Sequence, residues 1–343
     1  MVSVPFADDP THRLRELVRS NRFHEALELH GRMAETEARP DVALLAATAA
    51  TRLGELDRGR ALADWALFRF RQRADGDGRM RSLNLLGVIA WERGQLEMAE
   101  EHWTAALAVA HELDDSLIAA HASNNLGLVA HLRGRPEAAL MLFRGALVGY
   151  ERIGDRRGTA QTWHNLALAF RYLGDRLEAE RAAREAVRHA ELVHDPSLVA
   201  LAVTGYAEVH LEWRELELAA TELERARRLA DAAGDEIGVA EADRLLGRLA
   251  LLRGDAAGAA RLARAAREVA ERVGSALLAA ESAAVEALAL RALGRAAEAG
   301  DRRAAAVEGF TRLGATELLA RLEDEWHAGG ADGDATPGNR SPD

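Results

Sequence analysis

The sequence predicts an all-α fold, a stack of helical hairpins, on three observations. An offset of 40 residues lays the chain on itself repeatedly: Leu86-Gly87 returns as Leu126-Gly127, Leu166-Ala167, Tyr206-Ala207 and Leu246-Gly247. Two breaks fall in each period, one at Gly94, Gly134, Gly174, Gly254 and Gly294, with Gly54 a period earlier, the other at Gly154, Gly234, Gly274 and Gly314. Between breaks the apolar residues recur on one helical face, as in Ala99, Trp103, Ala106 and Ala139, Phe143, Ala146, and no stretch sustains the alternation of a strand. Two turns per period mean two helices per unit.

Taken in order, the first hairpin turns at Asn21 and carries Ala26 in its second helix, 33 residues before the turn at Gly54. Six further turns follow at the 40-residue spacing, which gives eight hairpins, and Thr316 to His327, with Leu318, Leu319, Leu322 and Trp326, reads as a terminal capping helix. Glycine at the first break permits the left-handed backbone that ends a helix, and Asp155, Asp195, Asp235 or Ser275 at the second is suited to cap the next one. Pro136 fits a first helical turn, while Pro40 and Pro196 fall between units. Gly87, Gly127, Ala167, Ala207 and Gly247 let the first helix of a unit approach its partner, and Ala106, Ala146, Ala186, Ala226, Ala266 and Ala306 do the same from the second. A two-helix unit cannot bury both faces alone, so successive units must stack.

Two units depart from the pattern. Arg214 stands where the sixth turn should have glycine, so the sequence does not fix that turn. Glu286 and Arg303 occupy positions of the eighth unit that are apolar elsewhere, which predicts weaker packing there. The organisation expected is an N-terminal extension over residues 1–8, a repeat array over 9–327 and a disordered tail over 328–343, which is low in bulky apolar groups.

Composition narrows the function. Of 343 residues, 44 are basic and 55 acidic, a net charge of 44 − 55 = −11, which argues against a general nucleic-acid binder. Every basic residue is arginine; without lysine there is no Walker A loop and no Schiff base. Cysteine is absent, which removes disulfides, thiolate metal sites and a cysteine nucleophile. Met1 to Pro10 lacks the features of a secretory signal and no apolar run approaches the roughly 20 residues that span a bilayer, so a soluble, cytoplasmic protein is expected. His24 and His30 are six residues apart, off the four-residue spacing of a zinc-protease helix, and Asp75-Gly76-Asp77-Gly78 starts like a calcium loop but has Leu86 where a bidentate glutamate is needed. Neither a metal, a cofactor nor a catalytic constellation is expected.

The array resembles the tetratricopeptide repeat (TPR) family. Its signature, Leu-Gly in the first helix, a glycine turn, then Ala, a bulky residue and Ala in the second, is matched by Leu126, Gly127, Gly134, Ala139, Phe143 and Ala146. The 40-residue unit is similar to the longer variety found in sensor arrays of bacterial signal-responsive regulators. The resemblance implies a right-handed superhelical solenoid in which the first helices line a concave groove that takes extended peptides or partner segments.

Carried onto this chain, the resemblance places Asn84, Val88 and Trp91 in the groove from the third unit, Asn124, Leu128 and His131 from the fourth, and His164, Leu168, Arg171 and Tyr172 from the fifth. Asn125 and Asn165 match a frequently used asparagine position, and His121 joins His131 and His164 on neighbouring first helices. Amides can serve a peptide backbone, Trp91 and Tyr172 supply apolar area, and Arg171 can hold a carboxylate bidentately. The second half of the groove carries Glu208, Glu212, Glu241, Arg244, Arg248, Glu281 and Arg291, which reads as a solvated face. The function expected is a non-enzymatic scaffold or adaptor that binds a protein or peptide segment; the alternative is a regulatory subunit that senses a ligand or signal peptide and switches a separate effector.

Overall fold

A computed structural model describes residues 10–33 and 39–328. The N-terminal extension predicted for 1–8 lies outside the described residues, as does the predicted tail apart from Ala328. Among the described residues there are seventeen α-helices and no strand.

The hairpins follow the predicted register. The first four are α1 (Pro10–Arg19) with α2 (Phe23–Arg32), α3 (Pro40–Arg52) with α4 (Leu56–Gln72), α5 (Gly76–Glu92) with α6 (Leu96–Glu112), and α7 (Ser116–Leu132) with α8 (Pro136–Ile153). The next two are α9 (Arg156–Tyr172) with α10 (Arg176–Glu191), and α11 (Pro196–Glu212) with α12 (Leu216–Ala232). The last two are α13 (Glu236–Leu252) with α14 (Ala256–Val273), and α15 (Ala276–Ala292) with α16 (Ala296–Leu313); α17 (Thr316–Ala328) ends the series.

From residue 54 to residue 314 every twentieth residue has a positive φ, so turns within and between hairpins share one left-handed step. Most of these residues are glycine, but Ala74, Asp114, His194 and Arg214 take the same conformation at φ 51° to 60°. Arg214 therefore keeps the turn that its side chain left open, against the strain that a Cβ imposes there. Asp75, Asp155, Asp195 and Asp235 cap the helices that follow by accepting from backbone N–H groups, each cap being worth about 1 kcal/mol. Ser275, expected to do likewise, makes no such bond. Pro40 and Pro196 are the first residues of α3 and α11, where a fixed φ suits the helix and no N–H is needed.

The packing follows the small residues. Ala26, Ala66, Ala106, Ala146, Ala186, Ala226, Ala266 and Ala306, spaced by 40, are each no more than 1% exposed. At Gly87 the approach is close: a Cβ there would stand 2.4 Å from Trp103 Nε1, which donates to the Asn84 carbonyl at 3.2 Å. The charged residues expected to loosen the eighth hairpin are partnered instead. Glu286, 2% exposed, accepts from Arg264 Nε and Arg267 Nε at 2.9 Å each, and the Arg303 guanidinium lies 5.1 Å from the Trp326 ring. Buried carboxylates persist only when so paired.

The helices form two compact units, residues up to 129 with 145–154, and residues 130–144 with 155 onward. In the first, Leu67, Met80, Leu83, Leu86 and Ile89 make one core between α4 and α5. In the second, Leu198, Ala202 and Val203 pack against Ala186 and Ala190, and Leu211, Leu223, Leu245 and Leu249 continue the interior. Among the described residues no helix is long and apolar enough to cross a membrane.

Candidate functional site

In the second unit α9, α11, α13 and α15 stand side by side as the first helices of successive hairpins, so residues 40 apart form rows across one wall. One such row brings Glu241 and Glu281 together, and Arg244, one turn further along α13, lies between them and Glu208 of α11. Its guanidinium is 3.4 Å from Glu208, 3.5 Å from Glu241 and 3.7 Å from Glu281. Arg171 of α9 completes the cluster at 3.8 Å from Glu208 and 3.2 Å from Glu212. Arg244 itself is only 6% exposed.

Burial and charge pull these groups apart. Burial works against the Glu208 carboxylate, yet Arg171 and Arg244 beside it hold its pKa at about 2. Burial, with Glu281 close by, pushes Glu241 up to about 7 despite Arg244, and burial raises Glu281 as well. One guanidinium thus serves three carboxylates, two of which favour a proton more than an ordinary glutamate does.

The predicted capping helix does more than cap. α17 lies against this wall: Glu325 accepts from Arg248 at 2.7 Å, Arg321 approaches Glu212 at 3.6 Å, and Arg291 donates to the carbonyls of Trp326 and Glu325. At its start, a Cβ on Gly134 would be 3.8 Å from Glu317 Cβ, and Glu317 lies in the field of Arg171. α17 has 13 residues, about 20 Å at 1.5 Å per residue, whereas five hairpins at 8–10 Å in a straight row would extend beyond about 30 Å. A helix this short reaches all of them only because the wall of this unit bends around it.

Between α17 and the wall is a small recess of about 70 Å³. Its floor is apolar, Leu211, Leu245, Val285 and Leu288 from the wall with Leu318 and Leu322 from α17, and its rim is the charged cluster. A larger space of about 660 Å³ shares Leu211, Arg248, Val285, Leu288 and Arg321 with it, and concave apolar space with a few fixed charges is the usual form of a ligand site.

The residues expected from the sequence divide between the units. In the second, Tyr172 is exposed, and its ring meets His131 edge-on at 6.2 Å. Burial, and then Arg171, bring the His131 imidazole down to about 4, so it is neutral at pH 7. Three expectations need correction. Asn165 is 6% exposed and so lies under the surface. His164 is wedged against the bare backbone of α11, where a Cβ on Gly205 would be 2.3 Å from its Nδ1. Arg171, expected to hold a ligand carboxylate, is already engaged by Glu208 and Glu212.

In the first unit, Trp91 tilts against Trp103 with ring centres 6.0 Å apart, His121 Nδ1 is 3.0 Å from the Tyr150 hydroxyl, and Asn124 and Asn125 are half-buried on α7. Asn84 Oδ1 is buried with no hydrogen-bond partner among the described residues. The second-half charges, read from the sequence as a solvated face, form an ion-pair cluster instead, with Arg244 buried at its centre, Glu208, Glu241 and Glu281 partly buried and Glu212 exposed. The 40-residue spacing of Glu241 and Glu281, with Arg244 one turn on, was the signal that could have found it.

Comparison with known proteins agrees with this architecture. The tetratricopeptide repeat family matches residues 78–150 and 117–192. A stretch of 120 residues is 31% identical to regulatory protein AfsR of Streptomyces coelicolor, taking in 35% of this chain and spanning only 12% of that protein. The fold is similar to a Rap protein complexed with competence and sporulation factor, with a TM-score of 0.66 and 14% identity over 94% of this chain and 98% of that one. It is also similar to NprR in complex with its cognate peptide NprX, with a TM-score of 0.65 and 10% identity over 96% and 99% of the two chains. Residues 78–192 thus match the tetratricopeptide repeat family, and the same 40-residue hairpins with their shared left-handed turns continue on both sides of the match.

Proposed function

We infer that this protein is a non-enzymatic regulator that binds a peptide or a partner's segment on the first-helix wall of its second unit. The observation that carries this reading is the recess between α17 and the wall, where Leu211, Leu245, Val285 and Leu288 form a floor beneath fixed guanidinium and carboxylate groups. Leucines can hold apolar side chains of a segment, and charges whose positions are set by one another can select its ionic groups. The solved Rap and NprR structures, the one complexed with competence and sporulation factor and the other with its cognate peptide NprX, share the fold, and the matched part of AfsR belongs to a regulatory protein.

Tyr172 and the neutral His131 stand at one edge of the second unit and add to its surface, and Arg171 acts by holding Glu208 and Glu212 in place. Trp91, Asn84, His121, Asn124 and Asn125 offer a second polar and aromatic surface on the first unit. Two readings of the regulator differ in what binding does. A passive adaptor keeps its dimensions, whereas a sensor changes them, and the presence of α17 on the wall favours the sensor because a segment entering there must move it.

The test is capture of partners from a lysate of the source organism by the wild-type chain and by Leu288→Glu, followed by small-angle scattering of the complex. Loss of a partner with Leu288→Glu and a changed radius of gyration support a sensor; loss with unchanged dimensions supports an adaptor. A partner retained equally by both chains contradicts the site.

A further inference from the structure

We propose that α17 is a built-in occupant of the peptide wall, and that the segment this wall accepts from elsewhere is a helix carrying the same acid, base, acid stripe that α17 displays. The proposal deepens the functional reading above and rests on it.

The stripe is formed by Glu317, Arg321 and Glu325, four residues apart and therefore on one face of the helix. Each faces an opposite charge on the wall: Glu317 lies in the field of Arg171, Arg321 approaches Glu212 at 3.6 Å, and Glu325 accepts from Arg248 at 2.7 Å. Leu318 and Leu322 run beside the stripe into the apolar recess, and Trp326, one turn on, packs against the Arg291 guanidinium, 4.7 Å from its ring. This is how an amphipathic helix docks in a groove, with apolar anchors at i and i+4 and charges that set the register.

The attachment is suited to release. Only Leu322 of α17 is fully buried, and a space of about 660 Å³ lined by Leu211, Val285, Leu288, Glu317 and Arg321 stays open between this helix and the wall. The remaining contacts are polar, the pairs Arg248–Glu325, Arg321–Glu212 and Arg303–Glu323 with the Arg291 guanidinium on the Trp326 ring and on two carbonyls of α17, and a competing segment of the same pattern can replace each of them. A ligand presenting carboxylate, guanidinium or ammonium, and carboxylate one turn apart, with two leucine-like side chains and an aromatic, meets every partner that α17 meets.

The test uses the full chain and a fluorescein-labelled synthetic peptide of residues 316–328, read by anisotropy. An occupant in place about nine-tenths of the time raises the apparent dissociation constant about ten-fold. The peptide is therefore expected to bind the Leu318→Glu/Leu322→Glu chain, whose own α17 is expelled, at least about ten-fold more tightly than wild type. A second pair of variants does not depend on leucine replacement. Arg248→Glu should speed hydrogen exchange of α17 amides, and Arg248→Glu combined with Glu325→Arg should return them to the wild-type rate. Equal peptide affinity for both chains, or α17 exchange unaltered by Arg248→Glu, overturns the proposal. Failure of the functional reading looks different: the wall takes the α17 peptide and no foreign segment is ever captured there. A foreign segment that binds wild type and the expelled chain equally leaves that reading standing and refutes the occupant.

Discussion

Arg248 of α13 donates to Glu325 of α17 at 2.7 Å across 77 residues of sequence, and this pair ties the last helix to the wall of the second unit. Arg248 needs such a partner: burial, and then the nearby Arg321, lower its pKa to about 10, and Glu325 offsets part of that cost. The chain therefore places a charged residue on an inward row of α13 and supplies its counter-ion from the C-terminal end of the array. A helix read from the sequence as a lid over the eighth hairpin is also a contact shared by several hairpins.

The close approach of α5 to α6 predicts that Gly87→Ala destabilises the first unit. The added Cβ would overlap the Trp103 ring, at 2.4 Å from Nε1, and the indole can move only by giving up its bond to the Asn84 carbonyl. Overpacking of this kind costs about 1–3 kcal/mol. Urea unfolding checks it; a midpoint equal to wild type would mean that the helices separate freely.

Phe143 is fully buried within α8, so Phe143→Ala should open a cavity and cost about 3–5 kcal/mol. Calorimetry of the variant should show a lowered melting temperature. An unchanged melting curve would contradict the assignment of this helix face to the interior.

Ala74 predicts the opposite sign. It is exposed and held at φ 51°, a conformation that costs an L-residue about 1–2 kcal/mol, while glycine gives back about 0.5–1 kcal/mol in lost chain freedom. Ala74→Gly should therefore raise stability by up to about 1 kcal/mol. A fall in melting temperature would show that the left-handed turns carry no strain.

Glu241 predicts a pH dependence. Its carboxyl titrates at about 7 in the folded chain because of burial, and then because of Glu281, against 4.5 as the ordinary value. Between these values the folded state holds a proton that the unfolded state has released, so stability falls as pH rises from about 4.5 to 7. Glu241→Gln should lessen that slope, to which the raised Glu281 also contributes, and exceed wild type in stability at pH 8. Thermal melts of both proteins from pH 5 to 8 check this, and parallel curves would place Glu241 in an ordinary solvated setting.

Most of the fold is legible in the sequence because it repeats. Leu86-Gly87 and its period-mates, the glycine turns and the alanine column from Ala26 to Ala306 report local requirements, a left-handed step or a close approach, that each unit must meet separately. Arg214 and Ala74 are less legible, since their conformation is imposed by stacked neighbours rather than by their own preference. The candidate site is harder still. Whether Arg244 and Glu281 are solvated or buried depends on how the wall curves and on α17 covering it, and neither fact is contained in one repeat. Arg171 was found for its chemistry but not for its partners, because Glu208 and Glu212 come from the next hairpin.

The most direct test is to place the photo-crosslinking residue benzoylphenylalanine at Leu288, on the wall of the second unit, and in a separate chain at Leu177, 79% exposed on α10. Irradiation in the presence of cell extract, followed by mass spectrometry, should give a defined peptide adduct at Leu288 that is absent at Leu177. The same adduct at both positions, or one at Leu177 alone, would contradict the assignment of the first-helix wall as the binding surface.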